Sequence, residues 1–333
     1  MEARFIIALL VSFTLTLILL PILIKILRKE KMGQNILSYV EMHKVKAGTP
    51  TMGGIAFVLS IVCSIFLFCR EFNSLSIMAA VVTISFGIIG FLDDFIKFKF
   101  KRNLGLRPYQ KIISQLAISV AVAIFAYKSS AVGSVLNLPF VKAQVDIGWG
   151  IIPFVIFIFL ATTNSVNLTD GLDGLASLTS ISFLFTFVLV LIAQLGLRLA
   201  GSNVLISGEY ANLELVCFIA IGALLAFLLF NAYPAKVFMG DTGSLALGGL
   251  IASVAIFSRN SLFIPIIGLS FVLSSVSVII QVAYFKVTKK RVFLMAPLHH
   301  HFEKKGVSET KIVAWYGVIT LLLGLLCLLF ELV

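Results

Sequence analysis

Acidic and amide side chains are concentrated in one short stretch of this sequence. Residues 164–174 include Asn167, Asp170 and Asp173 but neither lysine nor arginine, and long apolar runs flank the stretch on both sides. An ionised carboxylate in hydrocarbon costs several kcal/mol, so acidic groups beside membrane-length runs are expected to reach water or a partner. A site for a cation or a polar substrate is one interpretation, and a polar turn between two helices is the other.

Two further acidic groups also lie at the ends of apolar runs. Asp93 and Asp94 are adjacent at the end of one run, and Asp241 with Thr242 begins another. Adjacent carboxylates repel each other unless a cation or separate partners compensate them. The sequence 241–244 is typical of a helix N-terminus, where it either caps the helix or leaves N–H groups free for a phosphate.

Carboxylates from different helices, with amides and hydroxyls nearby, suit Mg²⁺, which binds one or two carboxylates together with water and substrate phosphate. Zinc prefers histidine and cysteine ligands, and Cys63, Cys69, Cys217 and Cys327 show no CxxC spacing. We therefore interpret the cysteines as small apolar residues. A reaction on a phosphate substrate, with Mg²⁺ as the cofactor, is the chemistry that these residue types favour.

Basic and imidazole side chains that could meet such a phosphate lie elsewhere in the chain. Lys46 precedes a turn rich in Gly, Thr and Pro that is not a Walker A motif, and Lys111 follows the aspartate pair. His299, His300 and His301 are consecutive. Three consecutive side chains cannot all face one site, so we expect one or two imidazoles to donate to phosphate or sugar oxygens. A solvated loop with incidental histidines is the alternative.

The elements that must position these groups are membrane-spanning helices. Hydrophobic residues make up 60% of the 333 residues and charged residues only 12%, against about 25% charged residues in a soluble domain. The net charge of +11 indicates the positive-inside rule and attraction to anionic membrane lipid rather than nucleic-acid binding. We expect an all-α polytopic membrane protein with a single domain over residues 1–333.

The apolar runs predict about ten transmembrane helices, most of them near the roughly 20 residues that a bilayer requires. They are placed at 5–24, 53–69, 74–92, 112–127, 151–168, 175–197, 213–233, 244–257, 262–285 and 313–332. Of the 26 lysines and arginines, 20 fall in the odd-numbered linkers. This asymmetry places those linkers in the cytoplasm and both termini outside, so the polar groups above are expected to meet at the cytoplasmic face of the membrane.

Five motifs of the chain, in this order, are similar to those of a known enzyme family. They are Thr49-Pro-Thr-Met-Gly-Gly54, Asp93-Asp94, Asn167-Leu-Thr-Asp-Gly-Leu-Asp-Gly174, Phe238-Met-Gly-Asp-Thr-Gly-Ser244 and Pro297-Leu-His-His-His-Phe-Glu303. Over essentially its whole length the chain resembles the polyprenyl-phosphate N-acetylhexosamine-1-phosphate transferases. The Leu-His-His-His-Phe-Glu form favours the members that use UDP-N-acetylmuramoyl-pentapeptide over those that use UDP-N-acetylglucosamine.

The resemblance implies a Mg²⁺-dependent reaction at the cytoplasmic face of the bacterial inner membrane. Undecaprenyl phosphate would attack the sugar-linked phosphate of UDP-N-acetylmuramoyl-pentapeptide and release UMP, and the protein would be a homodimer. Direct displacement and a two-step path through a phosphoryl-enzyme both remain open.

The resemblance also assigns roles to individual residues. Asp241 would bind Mg²⁺, Asp93 or Asp94 would contact the lipid phosphate as a base or a positioning group, and His299 would take part in catalysis. The remaining substrate contacts would come from Lys46, Asp173, Asn231 and Phe238 around the nucleoside, and from Asn167, Asp170, His300 and His301 around the diphosphate and sugar. Lys111 and Gly171 are further candidates for substrate binding.

Two alternatives remain from the sequence. A related enzyme that uses another UDP-sugar would have nearly the same motifs. A cation-coupled transporter or lipid flippase is of a different class, but transporters more often place ionisable residues near the bilayer midplane and contain internal repeats. This sequence has few charges inside its apolar runs and no convincing internal repeat.

Overall fold

The structure is a computed structural model of the chain. It describes residues 3–30, 48–69, 74–100, 105–141, 143–198 and 204–333, without the side chains of 195–198 and 204–206. These residues form a bundle of α-helices with one small two-stranded sheet at one end of the bundle.

The helices follow the apolar runs of the sequence. Their bounds are α1 (Ala3–Lys29), α2 (Gly54–Phe68), α3 (Ser74–Lys99), α4 (Pro108–Lys128), α5 (Ile151–Thr169), α6 (Leu175–Arg198), α7 (Val204–Asn231), α8 (Gly240–Phe257), α9 (Ile264–Ile267), α10 (Leu269–Thr288), α11 (Leu298–Lys304) and α12 (Glu309–Leu332). The strands β1 (Val135–Asn137) and β2 (Gln144–Asp146) form an antiparallel hairpin between α4 and α5.

A helix is present at each of the ten predicted positions. Among the described residues, nine helices are long and apolar enough to cross a membrane, which confirms a polytopic membrane protein. The helix α2, with 15 residues, is shorter than these nine. The hairpin and α11 were not predicted, because three-residue strands and a seven-residue polar helix leave no hydrophobic periodicity to detect.

The predicted bounds differ from the structure mainly where the hydrophobic pattern stops before the helix does. The helix α3 continues to Lys99 rather than ending at 92, so Asp93 and Asp94 lie on the helix instead of following it. The predicted helix 262–285 is divided into α9 and α10, because the chain leaves the helical conformation at Gly268.

The helix α8 is the central helix of the bundle. Its small side chains let neighbouring backbones approach closely, and every residue from Thr242 to Phe257 is buried. A Cβ atom on Gly90 of α3 would lie 2.1 Å from the carbonyl oxygen of Asp241, and one on Gly54 of α2 would lie 2.2 Å from the Cα atom of Gly243. The first turn of α8 is therefore fixed by direct contact with the backbones of α2 and α3.

A network of buried amides fixes the opposite end of α8. The side chain of Asn137 in β1 donates to Asn260 Oδ1 (2.9 Å), and Asn260 Nδ2 donates to Gln194 Oε1 (2.8 Å) on α6. Gln144 in β2 donates to Asn137 Oδ1 (2.9 Å). The hairpin is thus attached to the turn that follows α8, at the end remote from Asp241.

Gly90 offers a test of this packing, with Gly87 on the same helix as a matched control. Gly90→Ala should lower the free energy of unfolding by about 1–3 kcal/mol, since the new methyl group forces α3 away from α8. Gly87→Ala should be neutral or stabilising by up to about 1 kcal/mol, because a Cβ there meets its nearest neighbour, Ala246 Cβ, at 3.5 Å. Thermal unfolding in detergent measures both, and equal effects would contradict the close contact.

Candidate functional site

Three carboxylates meet where the last turns of α3 contact the first turn of α8. One oxygen each of Asp93, Asp94 and Asp241 lies within 4.8 Å of the others. Asp93 and Asp94 are buried, and Asp241 is partly buried. Three negative charges this close repel one another strongly unless positive charges or hydrogen-bond donors compensate them.

The two adjacent aspartates use different backbone donors. Asp93 Oδ1 accepts the N–H of Leu106 in the segment before α4 (2.8 Å). Asp94 Oδ2 accepts both the N–H (2.9 Å) and the hydroxyl (2.8 Å) of Thr242 at the start of α8. The segment can approach this closely because Gly105 has no side chain. A Cβ atom at this position would lie only 2.5 Å from Asp93 Oδ1. Each aspartate therefore joins α3 to a different neighbouring element.

Two ammonium groups lie against the carboxylates. Lys97 Nζ is 2.6 Å from Asp93 Oδ2, 2.9 Å from Asp241 Oδ2 and 4.0 Å from Asp94 Oδ1. Lys111 Nζ on α4 is 3.1 Å from Asp241 Oδ2. Lys111 was predicted as a site residue, whereas Lys97 was missed. Its spacing of three and four residues from the aspartates would have identified it, had α3 been extended beyond 92.

One amide side chain on α5 orients the other oxygen of Asp241, and a second joins α5 to α4. Asn167 Nδ2 donates to Asp241 Oδ1 (2.7 Å) and to Ser244 Oγ (2.8 Å). About one turn further from the site, Asn164 Nδ2 donates to Gln115 Oε1 (2.7 Å) and so joins α5 to α4. Gln115 was missed by the sequence analysis, because a single amide within an apolar run has no spacing signal. This bond positions Asn167 and Lys111 against the same carboxylate.

This donor set fits Mg²⁺. Carboxylate, amide and hydroxyl oxygens are the hard ligands that Mg²⁺ prefers, and here they are gathered by α3, α5 and α8 within a few ångströms of Asp241. Cysteine is absent from the group, whereas structural zinc sites usually include it.

Asp170 is affected by the negative charge of the neighbouring carboxylates. It directly follows the last residue of α5 and precedes the turn 171–174. Burial, followed by the charges of Asp241, Asp94 and Asp173, raises the pKa of Asp170 to about 8. A bound cation would reduce this electrostatic cost, because it favours the ionised form of every carboxylate nearby.

The predicted nucleoside residues Asp173, Asn231 and Phe238 are gathered around the loop 232–239. Asp173 Oδ2 accepts the N–H of Ala235 (2.9 Å), and Asn231 Nδ2 donates to the carbonyl of Val237 (3.0 Å). Phe238 is half-buried, three residues before Asp241. Asp173 and Asn231 therefore fix the loop that carries Phe238. Lys46 lies outside the described residues.

The three histidines face different partners. His299 is fully buried, and its ring packs against Gly171, where a Cβ atom would lie 2.2 Å from His299 Nε2. His300 Nδ1 lies 2.9 Å from Glu303 Oε2, and His301 Nδ1 accepts the N–H of Leu294 (3.1 Å). His299 is thus in direct contact with the acidic stretch 164–174.

Comparison with known proteins agrees with these motifs. Residues 75–259 match the model of glycosyl transferase family 4, and residues 46–58 match signature 1 of the phospho-N-acetylmuramoyl-pentapeptide-transferases. The chain is 46% identical to the phospho-N-acetylmuramoyl-pentapeptide-transferase of Clostridium novyi (strain NT), over 95% of this chain and 94% of the relative.

Proteins of the same name from two further bacteria are similar to this chain over nearly the full length. That of Clostridium perfringens (strain 13 / Type A) is 44% identical over 96% of both chains. That of Geobacillus sp. (strain WCH70) is 44% identical over 99% of both chains. The chain therefore belongs to glycosyl transferase family 4 and, within it, to the family of the phospho-N-acetylmuramoyl-pentapeptide transferases.

Proposed function

We propose that this protein transfers phospho-N-acetylmuramoyl-pentapeptide from its UDP-linked donor to undecaprenyl phosphate, giving UMP and the first lipid-linked intermediate of peptidoglycan synthesis. A phosphate oxygen of the lipid forms a bond to the sugar-linked phosphorus, and the bond from that phosphorus to UMP breaks. The observation that carries the proposal is the group of three carboxylates and two lysines at the ends of membrane helices. The named activity of the relatives supplies the substrates.

The proposed location is the cytoplasmic face of the bacterial cell membrane. Lys97 and Lys111 come from the third predicted linker and Asp241 from the seventh, and Asn167 lies at the end of the fifth predicted helix, next to the fifth linker. The odd-numbered linkers together hold 20 of the 26 lysines and arginines. Their meeting at one end of the bundle supports a site on that side. Both termini then lie on the opposite side of the membrane.

We propose Asp241 as the Mg²⁺ ligand, with Asp93 and Asp94 beside it. When bound, Mg²⁺ neutralises charge on the transferring phosphoryl group and orients its oxygens. Asn167 holds one oxygen of Asp241 by a hydrogen bond, so that the carboxylate is oriented before a ligand arrives. Lys111 adds a positive charge within reach of an incoming phosphate.

The aspartate pair is proposed to position the lipid phosphate rather than to remove a proton from it. A phosphate monoester has a second pKa of about 6, so at neutral pH most of it has already lost its second proton. Asp93 and Asp94 each accept backbone N–H groups that fix their orientation. Direct displacement then needs no base and no aspartyl intermediate.

The donor is proposed to bind across the loop 232–239 and the turn 170–174. Phe238, on the loop fixed by Asp173 and Asn231, would stack on the uracil ring, and Lys46 would contact the nucleoside. His299, packed against Gly171, would face the sugar and diphosphate side together with Asp170 and the neighbouring His300 and His301.

A single domain and a homodimer complete the proposal. The contacts of α8 with α2, α3 and α5 join both halves of the chain around one buried helix, which supports one domain over residues 1–333.

The homodimer is tested by the mass of the protein extracted in native lipid. A monomeric mass at concentrations that support full activity would contradict it.

Donor choice tests the proposed activity directly. Purified protein with Mg²⁺ and undecaprenyl phosphate should release UMP from UDP-N-acetylmuramoyl-pentapeptide and not from UDP-N-acetylglucosamine, as measured by chromatography. Release of UMP from the second donor alone would contradict the proposed substrate. Release from neither donor would contradict the enzyme and favour the transporter or flippase alternative.

Asp241→Asn tests the proposed metal ligand. It should lower kcat by at least about 10²–10³-fold, because the site loses a charge that neutralises and orients the metal. Asp146→Asn, on the exposed strand β2, is the matched control and should keep normal kcat. Far-UV circular dichroism and thermal unfolding check that both variants are folded, and full activity of a folded Asp241→Asn protein would refute the assignment.

The raised pKa of Asp170 predicts how stability depends on pH without metal. Between the ordinary pKa of 3.8 in the unfolded chain and about 8 in the folded protein, the folded state binds the extra proton. The free energy of unfolding should therefore fall as pH rises through this window and level off above it. Asp170→Asn should flatten this dependence in chemical denaturation with EDTA, and an unchanged slope would contradict the electrostatic picture.

A further inference from the structure

Lys97 occupies the position that a metal ion would need. Its ammonium lies 2.6 Å from Asp93 Oδ2 and 2.9 Å from Asp241 Oδ2, with Asp94 Oδ1 at 4.0 Å. We propose that Lys97 is a built-in competitor of the divalent cation. It neutralises the three carboxylates in the metal-free protein and is displaced when the metal binds. This inference rests on the metal site proposed above.

The two cations compete for the same oxygens. Mg²⁺ binds carboxylate oxygens at about 2.0–2.1 Å, so an ion on Asp93 Oδ2 or Asp241 Oδ2 would enter the space that the ammonium now fills. Like charges at such a separation, in a partly buried site, repel each other strongly. In the proposed competition, Lys97 Nζ therefore leaves these oxygens when the metal binds.

Lys97 is better placed to move than Lys111. Its side chain is 35% exposed, against 17% for Lys111, and it lies in the last turn of α3, where a long flexible stem can swing towards solvent. Lys111 forms its ion pair with Asp241, whereas Lys97 bridges carboxylates of α3 and α8. Displacement of Lys97 is thus the step that opens the group to a cation.

The displaced ammonium remains tethered beside the site and needs another anion. The diphosphate of the proposed donor is such an anion, and it arrives at the same group of residues. Metal and donor should therefore each increase the affinity for the other, because the donor provides a new partner for the lysine that the metal expels. Linkage requires this coupling to be equal in both directions.

Direct Mn²⁺ binding to the full-length purified protein, followed by electron paramagnetic resonance, tests this inference without turnover. Lys97→Met should bind Mn²⁺ about tenfold more tightly than the wild type when no nucleotide is present. Added UDP should tighten Mn²⁺ binding in the wild type and have little effect in Lys97→Met. Lys97→Arg keeps the charge and should bind Mn²⁺ nearly as weakly as the wild type.

Lys99→Met is the matched control, because Lys99 is exposed on the same last turn of α3. It should leave both the Mn²⁺ affinity and the effect of UDP unchanged. Unchanged or weaker Mn²⁺ binding by Lys97→Met would overturn the inference while leaving the metal site intact. No Mn²⁺ binding by the wild type would instead contradict the proposed metal site itself.

A second measurement uses the wild-type protein, in case Lys97→Met does not fold. Acylation of lysines, followed by mass spectrometry, reports how accessible each amine is. Mg²⁺ should increase the labelling rate of Lys97 severalfold and leave that of Lys99 unchanged, since the metal releases the first amine from its carboxylates. An equal or lower rate for Lys97 with Mg²⁺ would overturn the inference.

Discussion

Repulsion among Asp93, Asp94 and Asp241 is the constraint on which the site depends. Their carboxylates meet at the end of a membrane bundle, where burial makes each unpaired charge costly. Hydrogen-bond donors and cations compensate for that cost. Backbone N–H groups donate to Asp93 and Asp94, and the Asn167 amide donates to Asp241. The ammonium groups of Lys97 and Lys111 add positive charge. The same arrangement that stabilises the fold therefore forms the group of carboxylates that we propose as the Mg²⁺ site.

Helix packing determines that these charges meet at all. Gly90 and Gly54 let the backbones of α3 and α2 touch the first turn of α8, and the remainder of α8 is buried among its neighbours. A wider spacing would leave Asp94 out of reach of the Thr242 N–H and hydroxyl, which join α3 to α8. The geometry of the carboxylates is thus a consequence of small residues at helix contacts, as is common in membrane bundles.

The sequence predicted the helices and the acidic residues of the site, but not the contacts between side chains of different elements. Ten hydrophobic runs and clustered acidic residues are strong local signals, so the helices and the aspartates could be named in advance. The bridging of carboxylates by Lys97 could not be predicted in advance, because the hydrophobic pattern ends before α3 does. The contacts of Asp173 and Asn231 with the loop 232–239 depend on tertiary packing, which local sequence does not encode.

Crystals grown with Mn²⁺, which favours the same carboxylate oxygens as Mg²⁺, allow the most direct measurement of the metal site through anomalous scattering. An anomalous peak bonded to a carboxylate oxygen of Asp241, with Asp93 and Asp94 beside it, is the predicted result. In that structure Lys97 Nζ should have left the carboxylates that it contacts without metal. A peak at another position, in crystals of protein that Mn²⁺ activates, would contradict a metal centre built on these three aspartates.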